Sequence, residues 1–199
     1  MNYNSLSLES VYKAIKEAHG NPSAPPPLPL RKSPIYVQFR NAYKKLISQV
    51  DGSRAVYLWY AVHDNQETAY IYIGMSDKNV GGLRQRFDDE FRQWYHVYWM
   101  IAFKSDRYIQ DVKNNYPGYD REIDYQTLKR GATHVVYCTG LPANVNIPML
   151  EREVIAAYDF PPGNDDESGF MKPARLSDLA EEIVSKFDKI VNDTAYYRI

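Results

Sequence analysis

The sequence predicts an α/β (α+β) fold in which a small three-stranded antiparallel sheet is flanked by helices. Three observations predict it. Two β-rich runs, residues 54–63 (RAVYLWYAVH) and 68–74 (TAYIYIG), are joined by a short polar link and read as a hairpin. A third run at 133–139 (THVVYCT) has the same β-branched and aromatic character. Around these runs lie segments with apolar residues at helical spacing, in the order strand, strand, helix, insertion, strand, helix.

Taken in order, residues 5–19 read as a short amphipathic helix. Ser7 is a candidate cap, and Leu8, Val11, Tyr12 and Ile15 recur on one face. Residues 21–34 contain six prolines and are expected to be extended and polyproline-like, a stiff connector or a PxxP docking segment. Residues 36–50 form a helix through Phe39, Tyr43, Leu46, Ile47 and Val50, ended by Asp51-Gly52-Ser53. After Gly81-Gly82, the stripe Leu83, Phe87, Phe91, Trp94 and Tyr95 predicts one helix over 83–100. Residues 105–118 are polar, end in Tyr116-Pro117-Gly118 and read as an insertion; 121–129 suggests another short helix. Pro148 suits a first helical position, where its missing N–H goes unneeded, and that helix runs over 149–158. A last helix spans 177–191, with Leu179, Ile183, Phe187 and Ile190 on one side. The expected organisation is a helix and Pro-rich arm at 1–34, a flanking helix at 35–52, the main domain at 53–165 and a helical extension at 166–199.

The chain of 199 residues is 44% hydrophobic and 25% charged, enough for a core without covalent staples. Its 18 tyrosines combine an apolar body with a polar tip, which suits strands and binding surfaces. Net charge is −1 and pI about 6.4, so the chain as a whole is not a basic nucleic-acid binder. The charge is segregated, however: Arg84, Arg86 and Arg92 cluster, while Asp165, Asp166, Glu167, Glu181 and Glu182 weigh down the C-terminal part. Cys138 is the only cysteine, which excludes an internal disulfide or a cysteine metal cluster and places Cys138 in the core. His19, His63, His96 and His134 show no metal-ligand spacing. No apolar run reaches the roughly 18–20 residues of a membrane span, and residues 1–20 lack the pattern of a signal peptide. A cytoplasmic protein with no membrane partner is expected.

Four features carry candidate chemistry: Ala55-Val56-Tyr57 on the first strand, Tyr72-Ile73-Gly74 on the second, Leu83-Arg84-Gln85-Arg86 opening the next helix, and Glu151 in the first turn of a later one. Pro161-Pro162-Gly163-Asn164 follows that helix. This ordered set, over residues 53–165, resembles the GIY-YIG nuclease family. Ala55-Val56-Tyr57 stands where the family has Gly-Ile-Tyr, and Tyr72-Ile73-Gly74 matches the second half of its signature. Arg86 stands where the family has its helix arginine. Leu150-Glu151, Ile155, Pro162 and Asn164 look like its closing motif. Three positions depart from the pattern: Ala55 for the first glycine, Met75 where many members are basic, and Glu90 where members often have His or Tyr. Lys78, Tyr95 or His96 is expected to compensate.

The resemblance implies a metal-dependent endonuclease that hydrolyses DNA phosphodiester bonds. Tyr57 and Tyr72 would position or activate water, Arg86 would hold the phosphate, and Glu151 would bind one Mg²⁺ or Mn²⁺. Gly74, Lys78, Arg84, His96 and Asn164 are the expected substrate contacts. These residue types suit the chemistry. Arginine grips two phosphate oxygens in a fork, and one carboxylate suffices for a Mg²⁺ that keeps most of its waters. A tyrosine hydroxyl, with an ordinary pKa of ~10, needs cationic surroundings to act on water. Each residue also has a plainer role. Tyr57 and Tyr72 suit a packed sheet, Arg86 pairs with Glu90 at i+4, and Glu151 suits the positive end of a helix. Glu153, two residues on, faces elsewhere. Only the joint order points to a nuclease. With no appended DNA-binding module, recognition must come from the domain, the insertion near 105–119, or a homodimer. The alternative is a catalytically inactive adaptor of the same fold that binds nucleic acid or protein.

Overall fold

The computed structural model describes residues 1–19, 33–52, 54–62, 67–77, 81–103, 131–167 and 173–196. The proline-rich connector up to Lys32, Lys78, the insertion at 105–118 and the segment 121–129 lie outside the described residues, as do Asp64, Asn65 and Gln66 of the hairpin link. The elements run β1 (Asn2–Ser7), α1 (Glu9–His19), α2 (Pro34–Ile47), β2 (Ala55–Val62), β3 (Thr68–Ser76), α3 (Gly82–Gln93), α4 (Tyr95–Phe103), β4 (His134–Thr139), α5 (Ile147–Ala157), a 3₁₀ turn (Pro162–Glu167) and α6 (Asp178–Tyr196). The architecture is α+β, with one antiparallel sheet of strand order β1-β4-β2-β3.

Among the described residues the sheet has four strands, where the sequence predicts three. The extra strand is β1, which pairs Asn2 with Thr139 through Ser7 with His134. It overlaps the predicted N-terminal helix, which begins only at Glu9. The reason is physical. Strand β1 is an edge strand that buries only Leu6 fully, so it shows no local apolar alternation, and its partner lies more than 120 positions away in sequence. Ser7 still serves α1, accepting a hydrogen bond from the Glu9 N–H at 3.3 Å. Residues assigned to an N-terminal arm therefore complete the main sheet.

Helices cover both faces of the sheet. Tyr57, Trp59, Val135 and Tyr137 point into a core closed by α1 to α4, where Tyr43 and Phe91 stack at 5.0 Å. Val56, Leu58, Tyr60, Val136 and Cys138 point the other way, under α5 and α6. Strand β2 is consequently buried at all eight positions. Local signals start the helices. Ser33 accepts from the Tyr36 N–H at 3.2 Å ahead of Pro34, and Asn146 accepts from the Met149 N–H at 3.2 Å ahead of Pro148.

The predicted helix over 83–100 is two helices. The break falls at Trp94 (φ −105°, ψ 21°), whose N–H still reaches the Glu90 carbonyl. The apolar stripe continues across the break, so periodicity alone does not reveal it. Among the described residues, no helix is long and apolar enough to cross a membrane.

Candidate active site

Strand β3 is the sheet edge opposite β1. Helix α3 packs on one face of it and α5 on the other. In the β2–β3 register, Tyr57 lies opposite Gly74 and Trp59 opposite Tyr72. The register then slips by one residue, pairing Tyr60 with Tyr70 and leaving Ile71 as a bulge. Tyr57 and Tyr72 thus share one face, with ring centroids 6.2 Å apart.

Gly74 makes room for the Tyr57 phenol. A Cβ at that position would overlap the Tyr57 hydroxyl and ring, with Cε2 only 2.8 Å away. The motif glycine is therefore a steric requirement of the tyrosine opposite it.

Helix α3 is fixed in rotation by Leu83, Phe87 and Phe91, all buried against the sheet. One step around the helix, Arg86 and Glu90 come to the Tyr57 hydroxyl. Tyr57 donates a short hydrogen bond to Glu90 Oε1 and accepts one from Arg86 Nε at 3.1 Å. Arg86 Nε is also 3.2 Å from Glu90 Oε1, and Arg86 Nη2 donates to the Tyr72 hydroxyl at 3.3 Å. Arg86 is on the solvent side, 45% exposed, while Glu90 is 2% exposed. Glu90 Oε2 and Trp59 Nε1 make no hydrogen bond of normal geometry among the described residues, although Trp59 is close enough to favour the carboxylate.

Burial raises the Glu90 pKa to about 7, against the pull of Arg86, Tyr57 and Trp59. Burial likewise pushes Tyr57 well above its ordinary value; the Glu90 and Tyr72 charges add to this and Arg86 opposes it. Tyr72 is raised by burial, then by the charges of Glu90 and Glu151, with Arg86 opposing. Glu151 is half-buried on α5, near enough for its charge to act on Tyr72. The structure thus gathers Tyr57, Tyr72 and Arg86 into one bonded cluster at the edge of the sheet, while Glu151 sits on the helix that packs on the other face, near enough for its charge to act on Tyr72.

Asn164 is placed by an unusual turn. Asp159 and Phe160 adopt positive φ of 57° and 55°, and the chain then folds back through the 3₁₀ turn. The Asn164 side chain accepts from the Ile73 N–H and donates to the Ile73 carbonyl, both at 2.9 Å. It thereby occupies the outer edge of β3 as a neighbouring strand would. Arg84, also expected at the substrate, bonds the carbonyls of Val50 (2.8 Å) and Ser48 (3.3 Å) and closes the end of α2. Lys78 lies outside the described residues. His96 sits in α4, but its side chain is not among the described residues.

The sequence reading placed Glu90 beside Arg86 but missed its bond to Tyr57 across 33 positions. The available signal was the i+4 spacing from Arg86 on a helix already expected to pack on that strand. Glu153 accepts from the backbone N–H (3.3 Å) and hydroxyl of Ser177, holding the start of α6. A cavity of about 650 Å³ lies at the opposite edge, along β1 and α6, and includes none of these site residues.

Among the described residues, no group of three or more His, Cys, Asp or Glu side chains is arranged to hold a metal. Glu151, whose charge acts on Tyr72, is a single carboxylate of the kind that suits an ion keeping most of its waters. Comparison with models of known protein families, with curated proteins and with solved structures found no match.

Proposed function

We propose that this chain is a metal-dependent endonuclease of the GIY-YIG type that hydrolyses DNA. The observation that carries the reading is the convergence of Tyr57, Tyr72 and Arg86 at one sheet edge, with Glu151 alongside. Phosphodiester hydrolysis needs an oriented water and a cation facing the charge that develops on phosphorus. Arg86 supplies a permanent charge on a half-exposed side chain that a phosphate can reach. Tyr57 and Tyr72 present two hydroxyls around it that orient a water for attack. Glu151 would hold a Mg²⁺ or Mn²⁺, which when bound supplies counter-charge and polarises the phosphate.

The rival reading is a non-catalytic adaptor of the same architecture. It is favoured by the full burial of Tyr57, whose hydroxyl is committed to Glu90. Incubating the full chain with plasmid DNA and Mg²⁺ or Mn²⁺, with and without chelator, separates the two. Cleavage that chelator abolishes is expected. Intact plasmid under every condition, alongside retained binding, would establish the adaptor.

A further inference from the structure

The Tyr57 phenol poses a problem for any reaction at this site. Its proton affinity is raised well above the ordinary value, so at pH 7 fewer than about one molecule in a thousand carries the phenolate. As a free-standing base it is ineffective. Its hydroxyl hydrogen, however, already points at Glu90 Oε1.

Glu90 itself needs an explanation. Burying a carboxylate under a sheet is costly unless it is paired and fully hydrogen-bonded. Here one oxygen meets Tyr57 and Arg86, and the other makes no normal hydrogen bond among the described residues. Leucine or methionine would fill a helix position facing Trp59 and Tyr57 with no such penalty. The groups that bear on Glu90 are Tyr57 and Trp59 from β2, Tyr72 from β3, Arg86 and Asp89 from α3, and Tyr98 from α4; Arg86 is the cation among them.

Resting on the nuclease reading, we propose that Glu90 is the proton acceptor of this site, acting through the Tyr57 phenol, and that Arg86 holds this relay closed until a phosphate draws it away. The step balances. Water gives a proton to the Tyr57 oxygen as Tyr57 gives its own to the Glu90 carboxylate, leaving neutral Tyr57, neutral Glu90 and a hydroxide that forms the new P–O bond as the bond to the leaving sugar oxygen breaks; that oxygen takes its proton from solvent. No phenolate accumulates. Arg86 Nε already donates to the Tyr57 oxygen, which an incoming water needs as its proton acceptor. Its departure to a phosphate frees that oxygen. It also strips Glu90 of its counter-charge inside the protein, which strengthens Glu90 as a base at the moment substrate arrives. The proton affinity of Glu90, with a pKa of about 7, already leaves a large share ionised at neutral pH. Glu90 is thus a positioning and proton-accepting residue that does not touch the substrate.

The test is single-turnover plasmid cleavage with Mg²⁺ from pH 5.5 to 9. With DNA bound and Arg86 drawn away, wild type should lose rate about tenfold per pH unit below a midpoint at or above about pH 7. Glu90→Gln keeps the shape and an acceptor for Tyr57. It should cleave on the order of a hundredfold or more slowly and lose the acid limb, with DNA binding unchanged. Tyr57→Phe should lose as much, and the double variant no more than either single one. Wild-type cleavage accompanied by an unchanged Glu90→Gln rate or acid limb overturns the relay and leaves the nuclease reading standing. A wild type that cuts no DNA overturns both.

Discussion

The Tyr57 phenol lies across Gly74, its partner on the adjacent strand, and no side chain fits beneath it. Gly74→Ala should push the ring off Glu90 and Arg86. Overpacking of this kind costs about 1–3 kcal/mol, and displacing a reacting group by about 1 Å lowers rate on the order of a hundredfold. Denaturant unfolding and cleavage rate check both. A Gly74→Ala protein with wild-type cleavage would show that the Tyr57 position does not matter to activity.

Glu90 also links stability to pH. Its pKa is raised on folding from the usual 4.5 to about 7. The folded protein therefore holds this proton more tightly than the unfolded chain. That contribution is fully present below pH 4.5 and is lost as pH rises through about 7. Glu90→Gln removes the penalty of the buried charge, so it should be more stable than wild type at pH 8, by up to about 3 kcal/mol. The difference should close by pH 5. Urea unfolding of both proteins at the two pH values measures it, and equal stability at pH 8 would refute it.

On the nuclease reading, the two neighbouring carboxylates on α5 have separate duties. Glu151→Gln should lower metal-dependent cleavage on the order of a thousandfold while changing stability by under about 1 kcal/mol. Glu153→Gln keeps an acceptor oxygen for Ser177 and should cleave normally. Its effect belongs to the docking of α6, so it should appear in thermal unfolding instead. Equal cleavage by both variants would remove Glu151 from the proposed chemistry.

Asn164→Ala strands the Ile73 N–H and carbonyl at the outer edge of β3. Each stranded buried group costs about 1–3 kcal/mol. The melting temperature should fall, and the Ile73 amide hydrogen should exchange faster with solvent. An unchanged exchange rate at Ile73 would mean that the Asn164 bridge contributes nothing to the edge.

Much of this architecture was legible because it rests on local signals. Pro148 starts its helix, the 55–62 and 68–76 runs pair as neighbours, and Leu83, Phe87 and Phe91 mark the buried side of α3; Pro34, expected to end the extended arm, instead opens α2. What escaped is what only tertiary contact decides. Strand β1 has one fully buried side chain and no neighbour in sequence to pair with. The break at Trp94 leaves the apolar stripe intact. Glu90 reads from sequence as half of a surface i+4 ion pair, and only the distance to Tyr57 makes it a buried acid. Arg84 and Asn164 are polar residues near the motifs, yet nothing in their spacing reveals that backbone carbonyls and a strand edge take up their side chains.

The strand order sets a schedule for folding. Strands β2 and β3 are neighbours in sequence and can zip together early, at low loop-closure entropy. Strand β1 is made before β2, β3 and β4, yet its partner in the sheet is β4; it reaches β2 through a Ser5–Tyr60 hydroxyl contact at 3.3 Å and forms no backbone ladder with it. It must wait, unpaired, until residue 139 has been synthesised and β4 has docked on β2. Strand β4 is thus the keystone between β1 and the hairpin. The nascent chain carries an open edge on β2 from the synthesis of Val62 until that of Thr139, and slowed synthesis between β3 and β4 prolongs the interval in which that edge is open to aggregation.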